Sequence, residues 1–186
     1  MMALEDLEPG AFGYTFLETN DLHSDRRCQN PDLLDGTLPI LRFDNAQGET
    51  KAVVAMYAVH GTSMSAGLNT LSRDFHGAME LKLEERFDTP VTVLFFNSWS
   101  GDVSDKLAEV DDDFGLLDTY NGMEAAGNIF ADLVMANIDG IEMQDSIALN
   151  AKMARVPLGL DVLGYAEGEF DWEYGAVYCG FGVETE

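Results

Sequence analysis

Two apolar, β-rich runs stand on either side of one amphipathic helix, and this order restricts the fold more than any other feature of the chain. The runs occupy residues 52–59 ("AVVAMYAV") and 89–99 ("TPVTVLFFNSW"), and their β-branched and aromatic residues predict buried strands. Apolar residues recur every four positions in the helix between them: Phe75, Met79, Leu83 and Phe87. A strand, a helix and a second strand in this order favour a crossover connection, which makes the two strands parallel neighbours in one sheet.

The rest of the chain adds elements around this unit. The stretch "TLPILRFDNAQGETKAVVAMYAV" predicts a hairpin whose second strand is buried on both faces. A second helix is predicted for "TYNGMEAAGNIFADLVMANI", and a strand with one solvated face for "DSIALNAKMARVPLGL". Residues 1–35 read as an irregular loop, and residues 164–186 as a glycine-rich aromatic segment. We predict an α/β fold, a mixed β-sheet flanked by helices, in a single domain over residues 1–186.

The charge of the chain limits its partners. There are 34 Asp and Glu against 10 Lys and Arg among 186 residues, a formal net charge of −24. Such a surface repels nucleic-acid phosphates, so nucleic-acid binding is excluded. Two readings of the acidity stay open, adaptation to high salt and an ordinary solvated acidic surface.

Membrane and export signals are not expected. No apolar run approaches the ~20 residues that span a bilayer, so no transmembrane segment is predicted. The start "MMALEDLEPG" has no basic or apolar region of an export signal, which predicts a protein that stays inside the cell or whose leader is missing. Cys28 and Cys179 are too few for a disulfide framework, and whether they form a bridge stays open.

Polar residues follow both apolar runs. His60 comes directly after the first, and Gly101, Asp102 and Ser104 lie in "NSWSGDVSDK" after the second. The carboxyl ends of neighbouring parallel strands meet at one edge of a sheet, where α/β proteins keep their ligand sites. We therefore expect His60 and Ser104 to share a pocket.

The chemistry of that pocket stays open at this point. A neutral imidazole can bind zinc, act as a base, or only donate a hydrogen bond. A serine hydrolase using Ser104 and His60 is possible, although the nucleophile elbow GxSxG is absent, as are the metal motifs HExxH and CxxC. The other two histidines, His23 and His76, are expected to be exposed or structural. The spaced acids Glu80 and Glu84 are expected on a solvated helix face.

Four segments in order resemble one family. "RCQNP" (27–31), "YAVHGTSM" (57–64), "LSRDFHG" (71–77) and "GDVS" (101–104) together are similar to the neutral/alkaline, non-lysosomal ceramidases. The resemblance implies part of a larger catalytic domain that hydrolyses the N-acyl amide bond of ceramide with zinc, releasing sphingosine and a fatty acid. It also suggests a secreted or periplasmic protein.

The resemblance assigns roles residue by residue. It implies that His60 is a metal ligand and Ser104 a catalytic residue. Beside them, we assign three residues to substrate binding: Ser63, Gly101 and Asp102. The motif residues Asn30, Pro31, Asp74 and Gly77 are taken as structural.

The departures from the family pattern are also informative. No segment matches the family's other zinc histidine, and its glutamate and tyrosine ligands belong to a later part of the domain. Trp99 stands where asparagine is usual, and Asp105 and Lys106 replace Pro-Asn. We therefore expect weak zinc binding, and two partners, an N-acyl lipid such as ceramide and the missing remainder of the catalytic domain. The alternative is a non-catalytic α/β domain that binds a lipid or a partner chain.

Overall fold

The crossover predicted from the sequence is present in the structure. The structure, a computed structural model, describes residues 7–25, 34–64, 71–101, 103–106 and 116–154. The chain divides into two compact units, Met1–Ile147 and Ala148–Glu186. The elements below all belong to the first unit, and the single-domain assignment stays a prediction.

Eight elements are present in the described residues. The strands are β1 (Gly10–Glu18), β2 (His23–Asp25), β3 (Thr37–Asn45), β4 (Thr50–Tyr57), β5 (Thr92–Asn97) and β6 (Val103–Asp105), and the helices are α1 (Asp74–Glu84) and α2 (Leu116–Ile138). Four strands form the main sheet in the order β1-β3-β4-β5, and β2 pairs with β6 in a small second sheet. The first three strands of the main sheet are antiparallel and β5 is parallel to β4, which confirms the mixed sheet.

The β3–β4 hairpin is confirmed, and its turn explains why. The side-chain oxygen of Asn45 accepts hydrogen bonds from the backbone N–H groups of Gln47 (3.0 Å) and Glu49 (2.9 Å). Gly48 has a φ of 81°, a left-handed conformation that glycine adopts without strain. The sequence "NAQGE" therefore closes a tight loop that sets the register of the two strands.

The crossover β4-α1-β5 brings Val53 opposite Val93 and Tyr57 opposite Asn97. Two acids of α1 contact β5 directly. The carboxylates of Glu84 and Glu80 accept hydrogen bonds from the backbone N–H groups of Val93 and Phe95, each at 3.1 Å. The prediction that both acids lie on a solvated helix face was wrong, because they hydrogen-bond to the backbone of the outer strand.

One face of the main sheet packs on both helices. Leu38, Ile40, Val53 and Ala55 share one core with residues of α1 and α2, the fully buried ones being Phe75, Met79, Leu83, Ala126, Phe130, Ala131 and Val134. The C-terminal end of α2 is hydrogen-bonded to the sheet. Arg42 of β3 donates through Nη1 to the carbonyl oxygen of Ile138 (3.0 Å). The guanidinium also forms two hydrogen bonds with the buried carboxylate of Asp44, at 2.8 and 2.9 Å.

No described helix packs on the opposite face of the sheet, where Phe12, Phe43 and Ala52 line a cavity together with Gln144 and Ile147. In β4, Val53, Ala55 and Tyr57 are fully buried, whereas Ala52, Val54 and Met56 are only half-buried. The prediction that this strand is buried on both faces was therefore wrong. Both described helices lie on the other side of the sheet.

Two further predictions were wrong. The expected loop over residues 1–35 contains β1 and β2, and its residues 26–33 lie outside the described ones. The expected strand over 145–160 is absent from 145–154, where every residue is exposed. Among the described residues, the nearest ladder contact is the bridge between Phe12 and Gln144. The last residues of the expected strand, 155–160, and the segment 164–186 lie outside the described residues. No described helix combines the length and apolarity needed to cross a membrane.

Candidate functional site

The imidazole of His60 lies three residues beyond the end of β4 and contacts β6. Its Nδ1 is 3.0 Å from the carbonyl oxygen of Val103, and its backbone N–H donates to the same oxygen at 3.3 Å. A carbonyl only accepts, so Nδ1 carries the proton in the neutral ring and Nε2 keeps its lone pair. The half-buried ring is thus fixed in the tautomer that a proton acceptor or a metal ligand needs.

Ser104 follows the residue that His60 contacts. It lies in β6, opposite Ser24 of β2, and is half-buried. The main chain therefore brings residues 60 and 104 near each other. The strands that precede them, β4 and β5, are parallel neighbours as expected, and Ser104 itself lies in β6 of the small second sheet. That both side chains face one pocket stays a prediction.

Ser63 forms the second contact between this loop and β6. Its hydroxyl donates to the carboxylate of Asp105 at 2.8 Å. The segment 60–64 is therefore held to β6 at residue 103 and again at residue 105. Sequence reasoning noted Asp105 only as a departure from the family pattern and did not identify its role.

Asp74 holds the same loop from the other side. Its carboxylate accepts hydrogen bonds from the backbone N–H groups of Ser63 (3.0 Å), Met64 (2.9 Å) and Phe75 (2.6 Å). Burial alone raises the pKa of this carboxyl, but the hydrogen bonds it accepts outweigh burial and hold the pKa below its ordinary value. Asp74 has a φ of 56°, a left-handed conformation that Asp and Asn tolerate better than most residues other than glycine.

The other two histidines bind the carbonyl groups that precede His60. Nδ1 of His23 lies 2.9 Å from the oxygen of Ala58, and Nε2 of His76 lies 2.9 Å from the oxygen of Val59. The His23 ring is buried and stacks on Tyr57 with centroids 4.6 Å apart, while the His76 ring stacks on Phe95 at 4.8 Å. Both histidines are structural, as predicted, and together they fix the path of the chain where it leaves β4.

The remaining predicted site residues have mixed outcomes. Gly101 is exposed, and a Cβ placed on it meets no described atom within 4 Å, so its assignment to substrate binding stays a prediction. Gly77 is buried in the first turn of α1, where a Cβ would meet the side chain of Arg73. Asp102, Asn30 and Pro31 lie outside the described residues.

The donor set in the described part of the chain does not fit a catalytic zinc ion. A catalytic zinc needs three protein ligands as a rule. Within the described residues, no three His, Cys, Asp or Glu side chains are grouped so that they could hold a metal ion. His60 is suited to be one ligand, but the described chain does not complete the site around it.

The mixed sheet, its crossover helix and the loop at the end of β4 define a fold that occurs in ceramidases. The structure is similar to that of a neutral ceramidase from Pseudomonas aeruginosa, with a TM-score of 0.62 and 20% identity over 72% of this chain and 23% of that one. A ceramidase complexed with C2 gives the same score and coverage at 19% identity. The chain thus spans about a quarter of the length of these structures. No family model and no curated protein matches the sequence.

Proposed function

We propose that this chain forms part of the active site of a ceramidase-like amidohydrolase, which cleaves the N-acyl amide bond of ceramide into sphingosine and a fatty acid. The observation that carries this proposal is the placement of His60. Its ring is fixed at Val103 with Nε2 left as a proton acceptor, beside the strand that carries Ser104. The fold shared with ceramidases supports the choice of substrate class.

The proposed reaction makes clear what His60 would do. Water attacks the amide carbon while Nε2 of His60 accepts a proton, the C–N bond then breaks, and that proton passes to the departing amine nitrogen. The hydroxyl of Ser104 is the proposed polar contact for the reacting amide. Ser63 acts differently, because its hydroxyl donates to Asp105 and keeps the loop in place.

Zinc has a limited place in this proposal. The family resemblance implies a zinc enzyme, but the described residues offer His60 and no complete ligand set. We therefore assign no step to the metal, and we expect this chain alone to bind zinc weakly. Further ligands would come from other parts of a larger catalytic domain, which is the proposed protein partner. Purified chain that retains one zinc ion per molecule through dialysis against a chelator would contradict this.

The test is hydrolysis of a fluorescent N-acyl sphingosine by the purified chain, with and without added zinc. His60→Asn is the informative variant, because the Asn amide can replace the Nδ1 donor to Val103 but has no group at the Nε2 position. We expect slow hydrolysis that falls at least tenfold in His60→Asn. Glu142→Gln, on the exposed segment after α2, is the control and should retain the full rate.

A non-catalytic domain that binds an N-acyl lipid or a partner chain is the second candidate. The absence of a three-ligand group from the described residues favours it. Binding of the fluorescent lipid without hydrolysis at any zinc concentration would decide for this candidate. Labelling of Ser104 by a fluorophosphonate would instead indicate a serine hydrolase, since only an activated serine reacts.

A further inference from the structure

The face of the main sheet away from the two described helices carries one charged residue within its described strands, Glu18, which lies opposite Thr37 at the end of β1. Twelve uncharged side chains lie on the same side in three rows across the strands, namely Phe12, Phe43, Ala52 and Thr92, then Tyr14, Leu41, Val54 and Leu94, then Phe16, Pro39, Met56 and Phe96. We call these twelve residues the open face. Charged residues make up 24% of the chain, so about three would be expected among these twelve residues and the Glu18–Thr37 pair on a solvated surface, and one is found.

None of the twelve side chains is buried. Tyr14, Phe16 and Phe96 are 57%, 63% and 53% exposed, and Leu94 is 44% exposed. An aromatic side chain has roughly 150–250 Å² to bury, so the three rings alone leave about 350 Å² in contact with solvent. With the other nine residues, the open face exposes on the order of 600 Å², the upper limit for an apolar patch on a monomer.

We propose that the open face is a dimer interface on which a second copy of this chain packs, sheet against sheet. Two copies would bury on the order of 1,200 Å², the lower limit for a stable protein–protein interface. Twisted sheets of the same size pack face to face at about 10 Å, and a twofold axis gives each open face an identical apolar surface as its partner. Within the three rows no charge has to be desolvated, and Glu18 lies at their edge.

Electrostatics argue for a second copy over a membrane and predict a salt effect. A chain with a net charge of −24 is repelled by anionic lipid headgroups, so the open face does not favour a lipid surface. Two such chains also repel each other. Because the contact itself is uncharged, salt screens the repulsion without weakening the contact, and the dimer should tighten as salt rises.

The test measures the mass of the full chain by sedimentation velocity over a concentration series in 0.1 M and 2 M KCl. We expect a dimer whose dissociation constant is at least tenfold lower in 2 M KCl. The double variant Phe16→Lys and Phe96→Lys should weaken the dimer at least tenfold. Each lysine makes the net charge of the chain less negative. A weaker dimer in the double variant therefore could not be explained by greater repulsion between the net charges of the two chains. Leu71→Lys, at a fully exposed position off the open face, is the matched control and should still dimerise.

A second measurement needs no variant. In a mixture of isotope-labelled and unlabelled chains, isotope-filtered NOEs between copies should involve the methyl groups of Met56 and Leu94. A chain that stays monomeric at all concentrations in 2 M KCl would overturn the proposal. So would a dimer that survives the double variant and lacks these NOEs. Binding to neutral lipid vesicles by such a monomer would assign the open face to a membrane instead.

Discussion

The Nδ1 atom of His60 lies 3.0 Å from the carbonyl oxygen of Val103, and the backbone N–H of His60 reaches the same oxygen. One carbonyl group therefore fixes both the main chain and the ring at residue 60. Strand β6, which carries this carbonyl, is only three residues long and depends on β2 and on the Ser63–Asp105 hydrogen bond for its position. The orientation of the His60 ring thus depends on contacts from three separate segments. Substitutions that remove contacts in any of these segments should therefore alter the position of the ring.

Asp74 should contribute a pH-dependent part of the stability. Its folded pKa lies below the unfolded value of about 3.9, so its contribution is fully present above that value and is lost as the pH falls through the folded pKa. Asp74→Asn keeps a residue that tolerates the left-handed φ but loses the charge, and we expect a loss of about 2 kcal/mol at pH 7. Urea unfolding at pH 7, 5 and 3.5 measures the difference between the two proteins.

The difference should be constant from pH 7 to pH 5 and should shrink by pH 3.5. Asp74→Ala should cost more than Asp74→Asn at pH 7, because alanine keeps the strained φ and has no acceptor for the three N–H groups. A difference between wild type and Asp74→Asn that stays the same at pH 3.5 would show that the carboxylate charge is not what holds the loop.

His23 should be more important for stability than His76. His23→Phe keeps a ring to stack on Tyr57 but leaves the oxygen of Ala58, a fully buried residue, without its donor, which costs about 1–3 kcal/mol. His76→Phe makes the matched change at Val59 from a less buried position and should cost less. Thermal and urea unfolding of the two variants provide the comparison. A larger loss for His76→Phe would contradict the burial argument.

Gly127 sets the distance between the two helices. A Cβ at this position would lie 2.7 Å from the oxygen of Ala78 and 2.8 Å from Cγ of Lys82, so Gly127→Ala forces α1 and α2 apart. We expect a net loss of about 2 kcal/mol despite the better helix propensity of alanine. Gly140→Ala, whose Cβ has its nearest contact at 3.4 Å, should be close to neutral in the same urea titration. Equal stability of both variants would mean that the helices adjust without cost.

Salt should stabilise the folded chain. The 34 acidic residues repel each other in the compact state, and screening at high ionic strength reduces that repulsion. We expect the melting temperature to rise by several degrees between 0.1 M and 2 M KCl, with most of the rise below 1 M, where screening is steepest. A rise with sodium sulfate and none with KCl would point to the general salting-out effect instead.

The elements with a local signal were the ones that the sequence predicted. The four-residue spacing identifies α1 as a helix, and the apolar run identifies β5 as a strand, without knowledge of the rest of the fold. Strand β1 was missed because glycines interrupt it, although Phe12, Tyr14 and Phe16 alternate within it. The need for a glycine at position 13 becomes clear only from the fold, because a Cβ there would lie 2.5 Å from Cγ2 of Ile141.

In the candidate site too, the sequence predicted the features with a local signal and did not predict the contacts between distant residues. The position of His60 after an apolar strand predicted that it lies near the segment after β5, because the ends of neighbouring parallel strands meet in space. The bonds that hold the site join residues far apart in sequence, such as Ser63 with Asp105 and His23 with Ala58. No spacing rule connects such pairs, so the supporting contacts required the structure.

The carboxylates of Glu80 and Glu84 have a consequence for how molecules of this protein avoid aggregation. An outer strand with vacant N–H groups is a template on which a strand from another molecule can add, and repeated addition leads to fibrils. Here the N–H groups of Phe95 and Val93 are already bonded to the two glutamates of the neighbouring helix. The sheet therefore cannot be extended at β5 unless α1 first moves away.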